Sequence, residues 1–148
     1  MHSILVVCVG NICRSPMAEG LLRERLTDVE VRSAGLDARV GQPADRRSIE
    51  LMEERDIDIR PHRARQLGDY ECRRADLILA VEDGHRRAIE HAYPFARGRV
   101  FTLGHYGRFD IADPFGQERR KFEECLEMIE MGVDDWVQRI RKLRACSR

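Results

Sequence analysis

No apolar run in this 148-residue chain is long enough to cross a membrane. The longest near the N-terminus, Ile4 to Val9, spans six residues, whereas a spanning helix needs about twenty. The same shortness leaves no core for a signal peptide. Net charge is also lacking. Lys+Arg and Asp+Glu each number 26, so nothing global attracts nucleic acid or an anionic membrane, and neither nucleic-acid binding nor membrane insertion is expected. The cysteines are few and odd in number, five at positions 8, 13, 72, 125 and 146. That excludes a disulfide framework and fits a reduced, cytoplasmic setting. His2, His62, His85, His91 and His105 never approach a cysteine pair at metal-ligand spacing. No metal and no cofactor is expected, and these histidines read as surface or locally bonded residues. There is no linker, low-complexity segment or internal repeat. What is present, 43% hydrophobic and 35% charged residues, describes one globular domain over residues 1–148.

The apolar pattern alternates between strand-like and helix-like. Ser3 to Cys8 is a short, β-branched run of the kind that forms a buried strand. A helix is expected over 16–27, with Ser15 as N-cap, Pro16 at its first position and Ala18, Leu21, Leu22 and Leu26 on one face. A strand at 29–34 completes a β-α-β unit, which implies parallel strands and a right-handed crossover. A loop at 35–43 leads to a helix from Ala44 to Asp56 that turns Ile49 and Met52 inward. Pro61 marks a break, and a short helical turn is expected near 69–74. Strands at Asp76–Val81 and Gly98–Leu103 flank a helix at 84–92. After a loop at 104–116, a long helix from Gln117 to Ala145 carries Phe122, Leu126, Ile129, Val133, Trp136, Ile140 and Leu143 as a core stripe. Gly132 is expected to kink or split it. The fold class is α/β: one three-layer domain, about four parallel strands with helices on both faces. Ligands of such sheets bind beyond the carboxyl ends of the strands.

One loop occupies that place. Residues 8–15 read Cys-Val-Gly-Asn-Ile-Cys-Arg-Ser, followed by Pro16, at the junction of the first strand and the first helix. Backbone N–H groups there converge with a helix N-terminus, an arrangement that binds anions. Such surroundings favour the thiolate form of a cysteine, here Cys8. The fork of Arg14 can hold two oxygens of a tetrahedral anion at once. The expected phosphate-binding loop is Val9, Gly10, Asn11, Ile12, Cys13, Arg14 and Ser15, with Gly10 allowing close approach and Asn11 tolerating left-handed backbone.

The Cys-x5-Arg pattern is the signature of cysteine-dependent phosphatases. Its place within ten residues of Met1, with Met17-Ala18-Glu19, Ser33-Ala34-Gly35 and Asp113-Pro114-Phe115, resembles the low-molecular-weight protein-tyrosine phosphatases end to end. The match is strongest to the bacterial branch associated with tyrosine kinases of exopolysaccharide production. That resemblance implies hydrolysis of phosphotyrosine through a cysteinyl-phosphate. Cys8 would be the nucleophile, Arg14 the phosphate clamp and Asp113 the general acid, then base. It also implies that Asn11 braces the loop, that Ser15 donates to the Cys8 sulfur, and that the partner is a bacterial tyrosine autokinase. Phe115 would flank the substrate ring, with Leu36 expected as the opposite wall. Phe115-Gly116 stand where the animal branch has a tyrosine pair, so regulation by phosphorylating that pair is not expected.

Other readings compete. Asp113-Pro114 is also a common way to begin a helix, and Asp110 is the fallback acid. A thiol-coupled arsenate reductase on the same scaffold would need a resolving cysteine pair around 72–90, where only Cys72 lies. A phosphocysteine sugar-transport module would have little use for Arg14 or Asp113, and a phosphotyrosine-binding module would not need the acid. The stretch 39–65 carries seven arginines against six acids and reads as a solvated mixed surface. Cys13 is either inert packing or a trap for oxidised Cys8, condensing with its sulfenic acid to a disulfide and water. If it is a trap, peroxide-inactivated enzyme recovers with added thiol and Cys13→Ser recovers poorly. Equal recovery would exclude the trap.

Overall fold

The computed structural model describes residues 1–146. Four strands, β1 (Ser3–Cys8), β2 (Glu30–Gly35), β3 (Leu77–Ala80) and β4 (Val100–Thr102), form one parallel sheet in the order β2-β1-β3-β4. Five helices surround it: α1 (Arg14–Arg25), α2 (Arg46–Glu53), α3 (Asp69–Arg74), α4 (Asp83–Ala92) and α5 (Arg119–Cys146). The strands send alternate side chains to opposite faces. Ile4, Val6 and Cys8 join the core built with α1, α2 and α5. Leu5 and Val7 join a smaller core with Cys72 of α3 and Ile89 of α4. The expected three-layer α/β architecture with four parallel strands is therefore the observed one. No helix among the described residues is long and apolar enough to cross a membrane.

Several boundaries differ from expectation for physical reasons. Helix α1 begins at Arg14, so Ser15 is inside its first turn and is not the N-cap; Cys13 holds that position without a side-chain cap. Helix α2 is shorter than 44–56 because the Asp45 side chain caps it, accepting from the Arg47 N–H at 2.9 Å. Met52 and Leu51 are buried, while Ile49 is only partly so. In α5 the stripe from Phe122 to Ile140 is buried, but Leu143 is 63% exposed. Trp136 packs in the core and donates its indole N–H to the Thr102 carbonyl at 3.1 Å. That bond covers part of the open edge of β4.

Gly132 does not split α5, which runs unbroken from Arg119 to Cys146. Its role is close approach: a Cβ there would lie 2.7 Å from the Leu103 carbonyl oxygen just past β4. Gly132→Ala should therefore destabilise the fold by about 1–3 kcal/mol, the usual cost of forcing extra volume into a packed site. Chemical denaturation checks this, since an exposed helical Gly→Ala would instead stabilise by about 1 kcal/mol.

Candidate active site

Strand β1 lies between β2, the next strand in the chain, and β3. Its carboxyl end is thus the point where the winding reverses, and Cys8 is its last residue. The chain passes at once through residues 9–13 into α1. Asn11 takes left-handed backbone, φ 60°. Its amide N–H then points at Cys8 Sγ (3.3 Å), and the Ser15 hydroxyl stands 2.9 Å from the same sulfur.

The bonds around Asn11 fix where each proton lies. Its side-chain NH2 gives one proton to Ser15 Oγ (2.7 Å) and the other to Ser33 Oγ (3.0 Å), while Oδ1 accepts from the Arg65 N–H (2.9 Å). Ser15 already accepts from Asn11, so its own proton is left for the Cys8 sulfur. Ser33 passes its proton to Glu19 Oε1 (2.8 Å). His62 Nε2 lies 2.7 Å from the Asn11 carbonyl, and since a carbonyl can only accept, Nε2 carries the proton. Burial alone would push the Glu19 carboxyl up. Hydrogen bonds from His62 and Ser33 and the charge of Arg23 outweigh it and hold Glu19 below the usual carboxylate range. The network thus ends on a buried carboxylate.

Arg14 is 2% exposed. Its Nη1 donates to the Ile111 carbonyl at 2.7 Å and to the Glu82 carboxylate. Its Nη2 lies 3.9 Å from Asp113 Oδ2. The Ile111 N–H in turn bonds the Val81 carbonyl (3.0 Å), tying this loop to the end of β3. Asp113 is not a cap of α5, which begins only at Arg119. Its Oδ1 accepts from the Phe115 N–H at 3.0 Å, an Asx turn that leaves the carboxylate half exposed beside Arg14. Asp110, the fallback acid, accepts from the Asp83 N–H at the start of α4 (2.9 Å) and is not among the residues lining the cleft.

The cleft holds about 290 Å³ and is lined by Cys8, Val9, Gly10, Ile12, Cys13 and Arg14 together with Asp37, Ala38, Arg39, Asp113 and Phe115. Leu36, expected as the wall opposite Phe115, does not line it. Leu36 packs with Ala34 and Leu5 in the smaller core, because it continues the alternation of β2. Its backbone N–H bonds the Cys8 carbonyl at 3.0 Å. The side chain that faces Phe115 is Arg39, whose guanidinium carbon stands 4.5 Å from the ring centroid. Gly35 permits this packing, since a Cβ there would sit 2.3 Å from the Val9 carbonyl oxygen. Burial, then the charges of Asp45, Asp113 and Cys8, push the Cys13 thiol up, and burial pushes Cys125 up to about 12. A larger cavity of about 550 Å³ behind the loop contains Glu19, Arg23 and His62 but no cysteine.

A cysteine sulfur, a buried guanidinium and a half-exposed carboxylate therefore meet on one cleft. Low molecular weight phosphotyrosine protein phosphatases, as a family, match residues 3–145. The chain belongs to that family. It is 52% identical over 143 residues to a probable low molecular weight protein-tyrosine-phosphatase, EpsP, of Ralstonia nicotianae, covering 97% of this chain and 99% of that one. The Vibrio vulnificus phosphatase Wzb, solved with benzylphosphonate, superposes with a TM-score of 0.90 at 38% identity, over 93% of this chain and 98% of that one. The YwlE arginine phosphatase from Geobacillus stearothermophilus superposes with a TM-score of 0.94 at 33% identity, over 100% and 98%. Around the site of this protein-tyrosine phosphatase stand four residues whose contacts sequence reasoning missed: Glu19, His62, Glu82 and Arg39. Glu19 gave one signal, an acid on the inner face of α1.

The Glu19 brace should show itself in acid. Its carboxyl is held below its ordinary value near 4.5, so its contribution is present above that pH and is lost as pH falls through the folded-state value. Glu19→Gln should cost about 1–3 kcal/mol at neutral pH, the price of a lost charged hydrogen-bond acceptor. That difference should shrink toward pH 3. Urea midpoints from pH 3 to 7 measure it, and a pH-independent difference would contradict the brace.

Proposed function

We propose that this phosphatase hydrolyses phosphotyrosine with Cys8 as nucleophile, Arg14 and the loop Val9–Ser15 as phosphate holder, and Asp113 as general acid and base. The observation that carries the reading is the 3.9 Å approach of Asp113 Oδ2 to Arg14 Nη2 on the cleft that contains Cys8. The Cys8 thiolate forms a bond to phosphorus as the bond to the phenolic oxygen breaks. Arg14 and the loop N–H groups hold the equatorial oxygens. Protonated Asp113 gives its proton to the departing oxygen. As a carboxylate it then takes a proton from the water that attacks phosphorus, and the Cys8 thiolate leaves. Phe115 flanks the substrate ring.

The partner we propose is a bacterial tyrosine autokinase of exopolysaccharide production, met in the cytoplasm. Support comes from Met17-Ala18-Glu19, Ser33-Ala34-Gly35-Leu36 and Asp113-Pro114-Phe115, which match the bacterial branch, and from the half-identical EpsP of Ralstonia. Arsenate reduction is not favoured. Cys72, the one cysteine of the 72–90 segment, is buried with its thiol pushed up to about 11, chiefly by burial.

Cys8→Ser should abolish turnover of p-nitrophenyl phosphate. Asp113→Asn should lower kcat about 10²–10⁴-fold, the range for losing a general acid. The Asp113→Asn loss should be larger for phosphotyrosine peptides, whose leaving oxygen is more basic. Steady-state kinetics check all three. Wild-type turnover in Cys8→Ser would refute the nucleophile. Phosphoarginine peptide is the control substrate, and faster release of phosphate from it would refute phosphotyrosine.

A further inference from the structure

Two arginines line the cleft, and they differ in how their charge is used. Arg14 is buried and neutralised by Glu82 and Asp113. Arg39 is exposed, and no carboxylate lies within ion-pair distance of it among the described residues; the contact recorded for its guanidinium is the face of Phe115. Its backbone is nonetheless fixed. The Asp37 N–H bonds the Val9 carbonyl and the Arg39 N–H bonds the Gly10 carbonyl, both at 3.0 Å. The root of Arg39 is thus fastened to the loop that carries the nucleophile, while no ion pair among the described residues holds its guanidinium.

The spacing also matters. At 4.5 Å between guanidinium carbon and ring centroid, no aromatic ring fits between Arg39 and Phe115, because a stacked ring needs about 3.5–4.0 Å of carbon separation on each side. A substrate ring that takes the face of Phe115 covered by Arg39 must therefore displace Arg39. The displaced guanidinium loses its π-contact and stands at the rim with five unpaired donors. A carboxylate satisfies them best, by a two-pronged charge-assisted bond.

Resting on the phosphotyrosine reading above, we propose that Arg39 is a specificity residue. In the free enzyme it covers Phe115, and on binding it exchanges that ring for a carboxylate of the substrate segment beside the phosphotyrosine. The enzyme thereby selects phosphotyrosines set in acidic sequence.

The test uses two phosphotyrosine peptides of equal length, one flanked by glutamates and one by lysines, with wild type, Arg39→Ala and Arg39→Glu. Wild type should favour the acidic peptide at least tenfold in kcat/KM, about 1.4 kcal/mol. The preference should shrink as salt rises. Arg39→Ala should bring the ratio to within about twofold, and Arg39→Glu should invert it. An unchanged ratio in Arg39→Ala, with both peptides still cleaved, would overturn the role of Arg39 and leave the phosphatase reading standing. Failure of the wild type on both peptides while it cleaves p-nitrophenyl phosphate would overturn the phosphotyrosine reading itself.

Discussion

The loop that follows Cys8 depends on one buried amide. Asn11 spends both side-chain protons and its side-chain oxygen on three separate pieces of chain: Ser15 in α1, Ser33 in β2 and the Arg65 backbone. Its main-chain carbonyl takes His62 as a fourth anchor. Because the left-handed backbone at Asn11 also turns its N–H toward Cys8, the residue that braces the loop is also one that touches the sulfur. Removing that side chain would leave several buried polar groups without partners at once, each carrying its own desolvation penalty.

Arg14 is held by a different logic. Its guanidinium is out of water, so its charge must be met by oxygens at fixed places. Glu82 at the end of β3 and Ile111 in the loop after β4 supply them. The clamp is therefore built from the first, third and fourth β-α junctions of the chain. The sheet that spaces those junctions thereby sets where the guanidinium stands.

How much of this the sequence disclosed follows from the range of the interactions. Cys8, Arg14 and the first β-α-β unit were legible because they are local: a strand, a tight loop and a helix start within twenty residues. The layered fold was legible because hydrophobic periodicity repeats through β1, β3 and α5. Leu36 was misjudged because strand alternation persists one residue beyond β2 and carries it to the opposite face, leaving the cleft to Arg39. Glu19, His62 and Glu82 escaped notice because partners 14, 51 and 68 positions apart in sequence make their bonds. Gly132 looked like a flaw in α5 only until the Leu103 carbonyl occupied the space of its missing side chain.

Three neighbours in one stretch of chain face three ways. Asp110 caps α4, Ile111 bonds both Arg14 and the end of β3, and Asp113 reaches the cleft. Only Ala112 stands between these tasks, so the segment 110–113 has a fixed pitch, like teeth on a rack. Loops on either side are pinned as well: the Tyr106 ring packs on Trp136, and Gln117 donates a side-chain N–H to the Asp113 carbonyl at 3.0 Å. An inserted residue anywhere from 110 to 113 would therefore slide the Asp113 carboxylate along the cleft while the Arg14 guanidinium stayed where Glu82 holds it.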